Sequence, residues 1–218
     1  LATRITKWTK KDDQRLHKLM CYVYASLHVR QVGFVGDHPC ECHVDLFTDA
    51  DFAGDAVSQR STSGIHLALM GPNTNFPLHG ISKKQTATSF STPEAETVSG
   101  CFGYRTVLIP ALDLWEKLMP GLKTPRFHED NQAMIMVVMS GRNPTMRHIG
   151  RVHGVSIQWL NDRLGPHAGR DKVDIFYQDT SFMSADIYTK AFDTAAKWKR
   201  ACLLINVFEP EDLQPNSL

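Results

Sequence analysis

The chain contains no apolar run as long as a membrane-spanning helix, and its first residues carry no signal-peptide pattern. No membrane partner is therefore expected. Its five cysteines (21, 40, 42, 101 and 202) are an odd number in 218 residues. A chain of this size needs no disulfide scaffold, so a reducing intracellular setting is the default expectation. No internal repeat or low-complexity tract is present, which excludes solenoids and disordered linkers. The first residue is Leu1, not Met, and the opening residues read as the middle of a longer polypeptide, a fragment or processed piece. What is present is ordinary for a soluble globular protein. The hydrophobic fraction of 42% supplies a sizeable core and 22% of residues are charged. The length suits one domain plus appendages.

The formal net charge is only +1, but it is unevenly spread. Residues 1–30 carry seven basic and two acidic side chains; residues 142–170 carry five Arg, one Asp and three His. Four acids stand apart in short motifs of their own. Asp49 follows an alternating run that predicts a strand over 43–48. Glu96 lies in the first turns of a predicted helix, Asp130 follows a short extended run, and Asp186 sits at the expected start of a late helix. Carboxylates from separate elements can hold two divalent cations about 3.5–4 Å apart, the arrangement that phosphodiester hydrolysis uses. Oxygen ligands alone favour magnesium, with manganese as the alternative, over zinc.

The elements can be read in more detail. Thr9 and Asp12 form a capping box before an amphipathic helix over 10–28, with Leu16, Leu19, Met20, Val23 and Leu27 on one face. Strands are predicted at 43–48, 64–70 and 78–83. A long helix capped by Thr92 runs to about Met119 and bends or breaks near Pro110. A strand at 125–129, helices at 131–140 and 145–164, a strand at 173–178 and a helix from Ser184 complete the order. Three antiparallel strands, then two parallel strands reached through helices, predict an α/β fold with a mixed five-stranded sheet flanked by helices.

Seven stretches then occur in one order: Thr48-Asp49-Ala50-Asp51-Phe52-Ala53-Gly54-Asp55, Arg60-Ser61-Thr62-Ser63-Gly64, Ser82-Lys83-Lys84-Gln85, Ser91-Thr92-Pro93-Glu94-Ala95-Glu96, Asp130-Asn131-Gln132, Arg147-His148-Ile149 and Ala185-Asp186-Ile187-Tyr188-Thr189-Lys190. In these the chain resembles the ribonuclease H domain at the end of the Pol polyprotein of copia-type LTR retrotransposons, over residues 48–190. The resemblance implies the ribonuclease H fold and cleavage of the RNA strand of RNA–DNA hybrids during reverse transcription. It implies two magnesium or manganese ions held by Asp49, Glu96, Asp130 and Asp186 as the catalytic acids. It also implies a reverse transcriptase domain on the N-terminal side of the same polyprotein, and a cytoplasmic location in virus-like particles, with the nucleus as the alternative. Residues 1–32 would then close the polymerase, 33–42 link, 43–192 form the ribonuclease H domain and 193–218 a C-terminal tail.

Some assignments stay open at this level. Glu94 and Glu96 point about 200° apart on a helix, so only one can face the metals. The resemblance favours Glu96, leaving Glu94 to the positive helix end. Asp51 faces the metals only if its strand continues past Asp49. Gln132 matches a glutamine that reads the minor groove in related ribonucleases, or equally serves the start of a helix, and Asn131 beside it is a further candidate contact. Arg60 and Ser61 either meet a phosphate or shape a turn; Lys83 and Lys84 either meet the DNA strand or are solvated. His38, Cys40, Cys42 and His43 are too tightly spaced for a zinc finger. His148 and His153, five apart, are expected near phosphate or on the surface. The chain departs from the family at Gly150, where an acid is usual, and from cellular ribonucleases H in having no histidine over 179–183. A rival within the same resemblance is an inactive domain that grips the hybrid for a fused polymerase. Exonucleases with Asp-x-Glu on the first strand and integrases ending in Glu fit less well, since this chain has Asp49-x-Asp51 and Asp186.

Overall fold

The computed structural model describes residues 1–169 and 172–213. Arg170 of the basic stretch and the last five residues of the expected tail lie outside the described residues. The chain divides into two compact units, Leu1–Gln31 with the chain from Val207, and Val32–Asn206.

In the first unit, helix α1 (Lys10–Ala25) begins with the expected capping box. Thr9 N–H donates to Asp12 Oδ2 at 2.9 Å, and buried Asp12 also accepts from Arg4 Nε at 2.7 Å. The helix stops at Ala25, short of the expected 28, so Leu27 lies beyond it. Leu16, Leu19, Met20, Val23 and Leu27 are all exposed. A two-residue strand β1 (Arg30–Gln31) pairs antiparallel with β7 (Val207–Phe208).

The second unit is built on five strands: β2 (His43–Asp51), β3 (Thr62–Gly71), β4 (Thr74–Lys84), β5 (Arg126–Glu129) and β6 (Asp174–Tyr177), in the order β4-β3-β2-β5-β6. β2/β3 and β3/β4 are antiparallel, whereas β2/β5 and β5/β6 are parallel. This is the mixed five-stranded sheet, three antiparallel strands and two parallel ones, that the sequence predicts. Alternation decides the faces. Leu46, Ile65, Leu67, Leu69 and Phe127 point into the main core, against helix α2 (Thr92–Gly103). Phe47 points to the other face and packs on Met183 and Ala185.

Four expectations are corrected. The helix cap is Ser91, not Thr92: Ser91 Oγ accepts from Glu94 N–H at 3.3 Å, and Thr92 is the first helical residue. The long helix does not break near Pro110 but widens just before it: α2 ends at Gly103, a π-helical stretch spans Tyr104–Leu108, and α3 (Ile109–Leu118) follows directly. Proline has no N–H to bond into the preceding turn, and a wide turn accommodates it. The helix expected over 145–164 is three pieces, a 3-10 turn Pro144–Met146, α5 (Ile149–His153) and α6 (Ile157–Leu164). Gly154, in the left-handed conformation at φ 66°, stops α5. Asp186 sits in a 3-10 segment, Ser184–Tyr188, not in an α-helix; the next α-helix is α7 (Ala195–Leu204). Helix α4 (Gln132–Ser140) ends, as expected, at Gly141.

Candidate metal centre

The parallel register puts Phe47 of β2 opposite His128 of β5. Two residues further along each chain, Asp49 and Asp130 therefore stand at the same end of the sheet. Glu96 reaches that end from the first turns of α2. Asp49, Glu96 and Asp130 each offer a carboxylate oxygen within 4.8 Å of the others. Asp49 and Glu96 are buried and Asp130 is half-buried. Ser99 Oγ of α2 donates to the Asp49 carbonyl at 2.8 Å, which locks helix to strand. Thr180 Oγ1 donates to Asp130 Oδ2 at 2.7 Å.

This donor set fits a hard divalent cation. It is all oxygen, and Glu96 Oε2 is buried without a hydrogen-bond partner. Burial first, then the charges of Glu129, Asp49 and Asp130, push the Glu96 pKa far above the ordinary range. Clustered acids of this kind hold protons unless positive charge replaces them.

The fourth acid approaches from the opposite face. Thr189, at the end of the Ser184–Tyr188 segment, donates its hydroxyl to Asp49 Oδ2. Gly64, opposite Asp49 in the β2/β3 register, permits this approach. A Cβ at Gly64 would lie 2.6 Å from Thr189 Cγ2 and 2.8 Å from the Ala185 carbonyl oxygen. Asp186 does not join the three-acid group. Its Oδ1 accepts from Lys190 Nζ at 2.7 Å, and the same nitrogen is 3.3 Å from Asp49 Oδ1. Burial raises the Asp186 pKa to about 6, with the Asp49 charge adding to it. Burial works against the Lys190 charge, but Asp49 and Asp186 outweigh it and the ammonium is stabilised.

Strand β2 continues to Asp51, so Asp51 shares a face with Asp49. Burial and then Asp49 raise its pKa, while its carboxylate stays outside the three-acid group. Glu94 takes a role that the sequence reading did not assign. It is buried, and its Oε1 accepts from His148 Nε2 and His153 Nε2, each at 3.1 Å. The alternative that these histidines lie at the surface is corrected for His153, whose side chain is 1% exposed. They sit at the two ends of one short helix, α5, and both reach Glu94.

Sequence reasoning missed two residues. Glu129 is fully buried on the α2 side of β5, accepting from Thr48 Oγ1 and from Asn131 N–H, both at 3.1 Å. Burial above all, with Asp130 and Asp49 adding, raises its pKa well above the ordinary range. The signal was available: alternation in β5 puts Glu129 on the side of Phe127. Lys190 is the other, and its i,i+4 spacing from Asp186 was its signal.

The expected substrate contacts are dispersed. Asn131 is the cap of α4, its Oδ1 accepting from Met134 N–H at 3.0 Å, and Gln132 beside it is exposed. Ser61 is buried, with its Oγ accepting from Ala53 N–H at 3.2 Å, and Arg60 is exposed. Lys83 lies 4.5 Å over the Phe102 ring, and Lys84 pairs with Asp55. In the Cys/His patch His38 meets Cys40, His43 meets Asp45, and Cys42 is buried against Thr74. Among the described residues the patch gathers no three metal ligands. No helix among them is long and apolar enough to cross a membrane.

No family model matches this chain, and no curated protein sequence matches it. Among solved structures it is similar to the N-terminal RNase H domain of a Mycobacterium tuberculosis protein, determined as a fusion with maltose-binding protein. The two are 15% identical with a TM-score of 0.39, over 67% of this chain and 90% of that one. The functional reading therefore rests on the carboxylates and their surroundings.

Proposed function

We propose that this chain is a divalent-metal-dependent ribonuclease H that cuts the RNA strand of RNA–DNA hybrids, within the Pol polyprotein of a copia-type LTR retrotransposon. The observation that carries the reading is the meeting of Asp49, Glu96 and Asp130 from two strand ends and a helix, within ligand distance of one another. Together with Asp186 they would hold two magnesium or manganese ions. Such ions would activate the attacking water and stabilise charge on the phosphoryl group and leaving oxygen. The chain's own residues hold the acids in place. Ser99 and Thr189 fix Asp49, Thr180 orients Asp130, and Gly64 leaves room for the Asp186 segment. Gln132, Asn131, Arg60, Ser61, Lys83 and Lys84 are the proposed contacts to the hybrid.

Residues 1–32 would belong to the end of a reverse transcriptase in the same polyprotein. The separate compact unit containing Leu1–Gln31 supports that division. The proposed setting is the cytoplasm, in virus-like particles. A second reading is an inactive hybrid-gripping domain. It draws on Lys190, whose ammonium neutralises Asp49 and Asp186 without any metal ion.

The test is incubation with an RNA–DNA hybrid labelled on either strand, with and without magnesium. Cleavage confined to the RNA strand and dependent on magnesium is expected. Tight hybrid binding with both strands intact would select the second reading.

A further inference from the structure

The face of the sheet away from α2 carries a polar cluster that the carboxylate centre does not use. Alternation places His43, Asp45 and Phe47 of β2 and Arg126 and His128 of β5 on this face. Register sets Asp45 opposite Arg126 and Phe47 opposite His128, and the Phe47 and His128 rings stack at 4.3 Å. Buried Asp45 accepts from His128 Nε2 at 3.0 Å and from His43 Nδ1. His128 Nδ1 meets the Gln178 side-chain amide at 3.1 Å.

A cleft of about 580 Å³ opens over this cluster, and all of its lining residues belong to the unit Val32–Asn206. Its size and its mixed polar and apolar lining are those of a small-molecule site. Three features of the lining select the ligand.

The first is charge. Lys123 and Arg126 line the cleft, and neither is ion-paired among the described residues; Asp174, opposite Arg126 in register, is taken by Lys172. The acids of the lining are exposed Glu41 and buried Asp45. Burial works against the Asp45 charge, but the bonds from His128 and His43 outweigh it and hold its pKa below the ordinary value. That charge is therefore already satisfied, which leaves the two cations to an anion from outside.

The second is His43. An ionised carboxylate only accepts, so the ring carries a hydrogen on Nδ1. Its Nε2 has no hydrogen-bond partner among the described residues. That nitrogen accepts when the ring is neutral and donates when it is charged. A hydroxyl group does both, so it suits either state. The third is apolar surface. Phe182 and Leu203 of the lining are exposed, and a flat ring would cover them.

We infer that this cleft binds a small aromatic anion bearing a hydroxyl group. Its charge meets Lys123 and Arg126, its hydroxyl meets His43 Nε2, and its ring lies against Phe182 and Leu203. Hydroxyaryl carboxylates and nucleoside monophosphates share that chemistry. The inference does not rest on the nuclease reading.

The experiment titrates the full chain in EDTA, by calorimetry, with para-hydroxybenzoate, benzoate, adenosine monophosphate and inorganic phosphate. Wild type is compared with Arg126→Gln and Lys123→Gln, with melting temperatures as the folding control. In parallel the ligands are added to protein carrying ring-¹⁵N histidine. Saturable binding of para-hydroxybenzoate or of the monophosphate is expected, severalfold weaker in each variant, with benzoate severalfold weaker than its hydroxylated form. The His43 Nε2 signal should move with the hydroxylated ligands and not with benzoate. Binding of para-hydroxybenzoate alone assigns the cleft to carboxylates, and binding of the monophosphate alone assigns it to nucleotides; either result, or both, supports the inference. Binding of neither, binding of inorganic phosphate alone, equal binding of benzoate and para-hydroxybenzoate, or undiminished binding in the folded variants overturns it. A protein that binds these ligands yet never cleaves a hybrid keeps the cleft and loses the nuclease reading.

Discussion

Lys190 and Asp186 form an ion pair, Nζ to Oδ1 at 2.7 Å, one turn apart in sequence, and the same ammonium reaches Asp49 Oδ1 at 3.3 Å. A side-chain cation thus stands between two of the four acids proposed to hold metal. A divalent ion that binds Asp49 and Asp186 together must compete with it. Lys190→Met is expected to tighten manganese binding, by roughly tenfold at most because the lysine is partly exposed and screened. Calorimetric titration of wild type and variant reads this directly. Equal or weaker binding in the variant would remove the competition.

Glu94 and Glu96 should fail in different ways when changed to Gln. Glu94 is buried and accepts from two histidines and from Phe90 N–H, so Glu94→Gln should cost about 1–3 kcal/mol of stability. The melting temperature should fall by roughly 3–10 °C for a chain of this size. Glu96→Gln removes a buried acid whose charge is disfavoured, so it should leave the melting temperature unchanged or raise it. It should lower cleavage by at least about a hundredfold, since a displaced reacting group loses in-line geometry. Melting curves with single-turnover cleavage test both, and a dead but fully stable Glu94→Gln would exchange the two roles.

Asp130→Asn is expected to abolish hybrid cleavage while the fold survives. Asp130 is half-buried at the strand end, and its bond from Thr180 can be kept by the amide oxygen. Near-wild-type cleavage by a cleanly folded variant would take Asp130 out of the site.

Stability of the metal-free protein should fall as pH rises from 6.5 to 8.5. Glu96 and Glu129 have folded pKa values raised above the ordinary 4.5, by burial first and neighbouring acids next. Each keeps its proton when folded and releases it on unfolding, so its stabilisation is complete below about 4.5 and is lost as pH climbs toward the folded value. Asp186, raised to about 6, has spent its share by pH 6.5. Burial lowers the His66 pKa to about 4, which has the opposite sign and costs stability only below about 6.5. The slope is at most ~1.4 kcal/mol per pH unit for each carboxyl that stays protonated. Magnesium should flatten it, because cations replace the protons. Thermal melts in EDTA and in magnesium at three pH values suffice; a flat EDTA series would contradict the pKa shifts.

Much of the fold was legible because its signals are local. Short extended runs marked every strand of the five-stranded sheet to within a few residues, and Gly141 and the Thr9–Asp12 box marked helix ends that the structure reproduces. Errors fell where a neighbour overrode a local rule. Gly154 divided the helix expected over 145–164, and a π-helical stretch ahead of Pro110 stands where a bend or break was expected. The site divided the same way. Asp49, Glu96 and Asp130 were named from their motifs; alternation and i,i+4 spacing gave faint signals for Glu129 and Lys190, but their weight comes from their distance to those acids.

The sequence by itself determined the order of strands and helices along the chain and that enough apolar residues exist for a core. Periodicity and turn chemistry are properties of neighbouring residues along the chain. It also determined which acids stand at strand ends. Only the tertiary structure decided that Glu94 would bind two histidines while Glu96 faced the acids, and that Lys190 would stand between Asp186 and Asp49. Both outcomes depend on which faces of separate elements meet. Electrostatic interaction falls with distance through space and takes no account of distance along the chain.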